Sequence, residues 1–207
     1  MKRLIIVSLA IVLIIPGFSQ SSIIIDHNCT QLNNIPVSQI EAASTNLHIA
    51  YGHASHGSQL VYGMTGIYAK YGNSFAFNNG GSDGALDLHV RFTTGDLGNP
   101  DFNTWADLTR TYLNANADVN VVIWSWCGEV SSATQDDIDT YLSLMDELED
   151  DYPGVQFVYM TGHLDGTGAD GVLNLNNERI RSFCLTNNKI IYDFAEIESY
   201  DPDGAVN

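Results

Sequence analysis

Short β-prone runs alternate with longer stretches of helical spacing along most of this chain. Residues 47–51, 119–124, 155–160 and 189–192 read as strands, and each runs into a turn holding polar residues or Gly. Residues 23–25 form a further β-prone run. The Gly-, Asn- and Asp-rich stretch 72–104 holds two short β-like pieces, 75–77 and 88–92. Between these runs the spacing turns helical. Residues 36–43 predict a short helix anchored by Ile40. Residues 59–71 place Leu60, Met64, Ile67 and Tyr68 on one face. Thr104 caps a helix through Leu113, Ser131 or Ser132 starts a long amphipathic helix to about Glu149, and residues 173–186 form another. Strands that alternate with helices in this way predict an α/β fold. The expected form is a three-layer αβα sandwich around a mainly parallel, five-stranded sheet, flavodoxin-like in type. Ligands on such sheets bind at the carboxyl ends of the strands. The turns 52–58, 125–130 and 161–167 are therefore expected to converge there.

The first residues change the picture of where this fold works. Lys2 and Arg3 precede an apolar run over 4–15, followed by Pro16-Gly17-Phe18-Ser19. That is the layout of a signal peptide over 1–19, cleaved before Gln20. The run is short for a bilayer, which takes roughly 20 residues. The expectation is a secreted, periplasmic or cell-surface protein with one domain over 20–207 and no membrane partner after cleavage. The chain carries a net charge of −17, and losing the leader removes two cations and no acid. Such a charge argues against nucleic acid and anionic membranes as partners. Three cysteines, Cys29, Cys127 and Cys184, leave an odd thiol or an outside partner. The chain stops in the turn-rich segment 200–207 just after an apolar strand, which reads as a domain cut short.

Candidate chemistry centres on Gly52-His53-Ala54-Ser55-His56-Gly57. A nucleophilic serine needs an exposed Oγ at a sharp turn, a base, and N–H groups facing the developing oxyanion. Ser55 sits between two histidines, on a turn leaving a buried strand. The structural alternative is a serine, Ser55 or Ser58, that caps the following helix. His53 and His56 could equally be turn histidines, or a metal pair completed by an acidic residue of 163–167. His163 follows a strand and precedes Gly166; it suits a base or a turn residue bonded to Asp165. His27, His48 and His89 read as structural or surface residues. Trp124 and Trp126 flank Ser125 and are expected to face opposite sides of the sheet; both read as core residues, the commoner role, or Trp126 on the ligand side stacks on a sugar. Cys127 shares that turn.

These motifs resemble the SGNH (GDSL-like) hydrolase superfamily over most of residues 45–200. The resemblance lies in a strand leading into Gly-His-Ala-Ser-His-Gly, a second strand ending in Trp-Ser-Trp-Cys-Gly, and a last strand followed by an acidic loop. It implies Ser55 as nucleophile, with His56, His53 or His163 as base, or a histidine beyond the chain end. Gly95 or Gly98 would match the family's oxyanion glycine, and Gly57 and Gly128 are further backbone candidates. The family's Gly-x-Asn-Asp is replaced here by Cys127-Gly128-Glu129. An ionised Glu129 accepts hydrogen bonds only, so it would orient a histidine rather than hold an oxyanion. The family's final Asp-x-x-His is also absent: Asp193, Asp201 and Asp203 have no His after them.

The implied function is cleavage of an acyl ester, on a small molecule or a polysaccharide, without a cofactor. Two alternatives compete. One is a non-catalytic glycan-binding module using Trp126 and the loop 78–100. The other is a metal site at His53 and His56. Asp201-Pro202-Asp203-Gly204 also resembles the start of a calcium loop, though a β-turn explains it as well.

Overall fold

The structure, a computed structural model, describes residues 21–93, 101–200 and 204–206. The leader 1–19, Gly95, Gly98, Asp201 and Asp203 lie outside the described residues. Among the described residues seven strands form one sheet: β1 Ile23–Ile25, β2 His48–His53, β3 Phe77–Asn78, β4 Leu86–Val90, β5 Val121–Ser125, β6 Gln156–Met160 and β7 Ile190–Tyr192. Their order is β1-β7-β6-β5-β2-β4-β3, and every pairing is parallel. The helices are α1 Val37–Asn46, α2 Ser58–Tyr71, α3 Thr104–Ala115, α4 Gln135–Asp151, α5 Val172–Thr186 and α6 Phe194–Glu198.

The sheet therefore has seven strands where the pattern predicts five. The two additional strands, β1 and β3, are its edges. They span three and two residues, too short to show a hydrophobic period, and they become strands only by pairing with β7 and β4.

Side chains alternate across the sheet, as the pleat requires. Ala50, Val122, Trp124, Phe157, Tyr159 and Ile191 pack on one face, against Trp105 of α3, Tyr141 and Met145 of α4, and Ile180 of α5. Ile49, Tyr51, Ile123, Met160 and Tyr192 face the other way, toward Leu60, Val61 and Met64 of α2 and Phe194 of α6. Both faces are apolar, so the strands read as nearly continuous hydrophobic runs.

Helix α4 shows how local chemistry sets a boundary. Its buried residues Ile138, Tyr141, Leu142, Met145 and Leu148 keep helical spacing. It starts at Gln135 rather than at Ser131 or Ser132, because Thr134 forms a capping box. The Thr134 hydroxyl accepts from Asp137 N–H at 3.2 Å, and Asp137 accepts from Thr134 N–H at 2.8 Å. Such a cap is worth about 1 kcal/mol. The residues before it form a separate 3-10 turn, Cys127–Ser131, at the carboxyl end of β5.

Strand order reverses between β2 and β5: the chain moves from β2 to β4 on one side, then returns to β5 on the other. His53 and Ser125, the last residues of these strands, are register partners. The crevice at such a reversal is where open α/β sheets bind ligands.

Candidate functional site at the carboxyl edge of the sheet

Two glycines frame the turn after β2. A Cβ on Gly52 would lie 2.5 Å from the Trp124 indole of β5, and one on Gly57 would overlap the His53 side chain. Only glycine lets the turn fold this tightly against its neighbours. Between them lies a 3-10 turn, Ser55–Gly57, and α2 starts at Ser58. Ser55 is exposed. Neither the 3-10 turn nor α2 carries a side-chain cap, so capping does not account for Ser55. Its Oγ is hydrogen-bonded to no group among the described residues, and none of His53, His56 and His163 holds it.

The three strand-end turns do meet. His56, on the first, stacks on His163, on the third, with ring centroids 3.6 Å apart and planes 22° from parallel. A Cβ on Gly128, in the second, would lie 3.5 Å from His163 Nε2. Glu129 shares the Gly128 turn, with its N–H on Trp126 O at 3.0 Å.

What holds these turns in place is a pair of asparagines on α5. Asn177, 1% exposed, binds both backbone groups of Gly162: its Oδ1 accepts from Gly162 N–H at 2.9 Å, and its Nδ2 donates to Gly162 O at 3.3 Å. Asn176 donates to Val130 O and Ala133 O, both at 2.9 Å, and so fixes the end of the Gly128 turn. Leu164 N–H donates to Glu198 of α6 at 2.8 Å. Sequence reasoning missed this pair. The available signal was two adjacent amides on the buried side of an amphipathic helix, where apolar residues are the rule.

The histidines differ in role. His163 Nδ1 lies 2.7 Å from Leu164 O, not on Asp165, and His53 Nδ1 lies 2.8 Å from Ala54 O. Each carbonyl fixes a tautomer with the proton on Nδ1, which leaves the Nε2 lone pair available. His53 is 5% exposed. Burial holds its imidazole below the usual range, against the opposing pull of the Ala54 carbonyl, and the charge of Arg91 adds to the lowering. A neutral, enclosed ring under Gly57 supports the turn from beneath. His163 is only partly buried and His56 is exposed.

Other candidate residues are placed differently from expectation. Trp124, in β5, and Trp126, one residue past its end, both pack into the core cluster on the α3 and α4 side of the sheet rather than on opposite faces. Trp126 is 2% exposed and packs against Phe102, Trp105 and Tyr141. Its indole is core, not a sugar platform. Gly57 N–H already donates to Ala54 O at 3.0 Å, which removes it as an oxyanion donor. The Ser55 and His56 N–H groups, by contrast, donate to no carbonyl among the described residues. Asp193 is held by Arg181 at 2.6 Å and Thr161 at 3.0 Å, and it caps α6. Cys184 is buried, its thiol pushed up to about 12 by burial and by the charge of Glu149. Cys29 is exposed, and neither of these two is in a disulfide. The side chain of Cys127 lies outside what is described. Among the described residues the group with metal-ligand spacing is His48, Asp87 and Asp118, not His53 and His56. No described helix is long and apolar enough to cross a membrane.

Comparison with protein-family models, with curated proteins and with solved structures finds no match to this chain.

Proposed function

We propose that this protein is a serine-type ester hydrolase of the SGNH kind, exported from the cell, with Ser55 as nucleophile and His163 as general base. The observation that carries this reading is the meeting of three strand-end turns, with His56, next to the exposed Ser55, stacked on His163 at 3.6 Å. The order β4-β2-β5-β6-β7 within the sheet supports it, since that is the flavodoxin-like order with its ligand crevice beside β2.

Ser55 Oγ would attack the ester carbonyl while His163 Nε2 takes its proton. The Leu164 carbonyl on Nδ1 keeps Nε2 free to do so and steadies the imidazolium that forms. His163 then passes the proton to the departing alcohol, and a water molecule releases the acyl group by the same route. On this reading serine and base must close to hydrogen-bonding range when substrate binds, as catalytic pairs in free enzymes commonly do. The Ser55 and His56 N–H groups would receive the oxyanion; one such donor is worth roughly 3 kcal/mol. His53 orders the turn and stays out of the chemistry.

The test is labelling by a fluorophosphonate probe together with hydrolysis of p-nitrophenyl acetate. Both should be present in the wild type and lost in Ser55→Ala, with an unchanged circular dichroism spectrum. Equal labelling of the two proteins refutes the assignment.

A further inference from the structure

The opposite edge of the sheet carries a second cluster of chemistry-bearing side chains. His48 opens β2, Asp87 lies beside it on β4 as its register partner, and Asp118 is in the turn between α3 and β5. One ligand atom from each lies within 4.8 Å of the others. We propose that these three residues bind a divalent first-row metal ion of the zinc type.

Asp87 is oriented as a ligand would be. Its side chain is 3% exposed. Gly80 N–H donates to its Oδ1 at 2.6 Å, and His89 Nε2 lies 2.9 Å from the same oxygen, within ion-pair range. His89 is itself held through Nδ1 by the Tyr112 hydroxyl. Oδ2 is thereby turned outward to His48 Nδ1, 2.9 Å away. Chains of outer contacts of this kind fix the direction of metal-binding carboxylates.

Charge is the second observation. Asp118 is exposed and makes no ion pair or hydrogen bond among the described residues, yet its carboxylate sits beside that of Asp87. No described Lys or Arg is paired with either. The groups paired with Asp87 are imidazoles, His48 and His89, so when these are neutral a bound divalent ion supplies the positive charge that the two carboxylates lack. The phenol of Tyr112 feels the same field: burial first, then the charges of Asp87 and Asp118, push it above its usual range.

The donor set selects the ion. One imidazole and two carboxylates suit zinc, manganese or nickel. They lack the thiolates that mark copper(I) or iron–sulfur sites and the six to eight oxygens that calcium takes. Zinc bonds of about 2.0–2.2 Å are compatible with donor atoms this close together, and water completes the shell through the exposed side. The site lies at the amino ends of β2 and β4, away from Ser55. Its effect is to tie the turn before β5 to the sheet, not to act on substrate.

The experiment titrates zinc chloride into EDTA-stripped, dialysed protein by calorimetry, with thermal melts in parallel and manganese as a second ion. The expected result is one ion per chain and a raised melting temperature. Asp118→Asn should lower the affinity at least tenfold without lowering the metal-free melting temperature, because Asp118 has no other partner to lose. Two results overturn the proposal: no binding of either ion at millimolar concentration, or binding that Asp118→Asn leaves intact. If binding is instead lost in His163→Ala, the ion belongs to the carboxyl edge of the sheet and this assignment is wrong.

Discussion

The His56 imidazole lies face to face with His163, 3.6 Å between ring centroids, although 107 residues separate them in the chain. Stacking and proton transfer ask different things of these two rings. Stacking needs only flat surfaces; a base needs a nitrogen with a fixed tautomer, and His163 has one through Leu164 O. His56→Phe keeps the stack and removes the nitrogen, so kcat/KM for ester hydrolysis should stay within about tenfold of wild type. His163→Phe should lower it by about 10²–10⁴-fold, the usual worth of a general base. Steady-state kinetics on the two variants checks this. Equal losses would assign both rings a positioning role.

His53 makes stability depend on pH. Its unfolded-state value is 6.5, and burial lowers the folded one. Above 6.5 both states are neutral, and the stability associated with His53 is fully present. Below 6.5 the unfolded chain takes up a proton that the folded chain refuses, so stability falls as pH drops, until the folded pKa is passed. Thermal melts from about pH 7.5 to about 5 should therefore show a decline that is shallower in His53→Gln. An identical slope in the two proteins would mean that His53 is solvated.

Asn177→Leu separates the scaffold from the chemistry. The apolar side chain is close in size but leaves Gly162 N–H and C=O without their partner in a buried setting. Each orphaned group costs about 1–3 kcal/mol, measurable by urea denaturation. The loss of register at Gly162 should also lower kcat more than it raises KM, because the residue it positions is His163. A stability loss with kcat unchanged would show that other contacts, such as that of Leu164 with Glu198, suffice to hold the ring.

Thiol chemistry provides a direct check on the packing of α5. Iodoacetamide should label Cys29 in the native protein. Cys184, buried and with its thiol pushed up to about 12, should react only after denaturation. Mass spectrometry of the labelled peptides reads this. Native labelling of Cys184 would mean that α5 opens locally.

Much of the fold is legible in the chain because local and global preferences agree. The runs at β2, β5, β6 and β7 are apolar on both faces, and α2, α4 and α5 keep helical spacing; those patterns alone specify parallel strands with helices on both sides. The sequence pattern places the start of α4 a few residues before Thr134, since Ser131, Ser132 and Thr134 are all good caps, and only Asp137 in the right position selects one. The edge strands β1 and β3 could not be assigned to this sheet from pattern, because two or three residues hold no period.

The turn from Gly52 to Gly57 stands out as a candidate site from residue types alone: glycines that permit a tight turn, and a serine and histidines able to exchange protons. Which histidine faces outward was not. His53, His56 and His163 are the same residue to any one-dimensional reading. Their difference arises from burial beneath Gly57, from which carbonyl meets Nδ1, and from a ring approaching from another strand. The two asparagines of α5 and the Asp87 cluster belong to the same class. Chain sequence by itself determines what each segment can become, because propensity and periodicity act over a few residues. Only tertiary structure decides which polar groups lose water and which partners they gain, because those partners come from strands and helices far away in the chain.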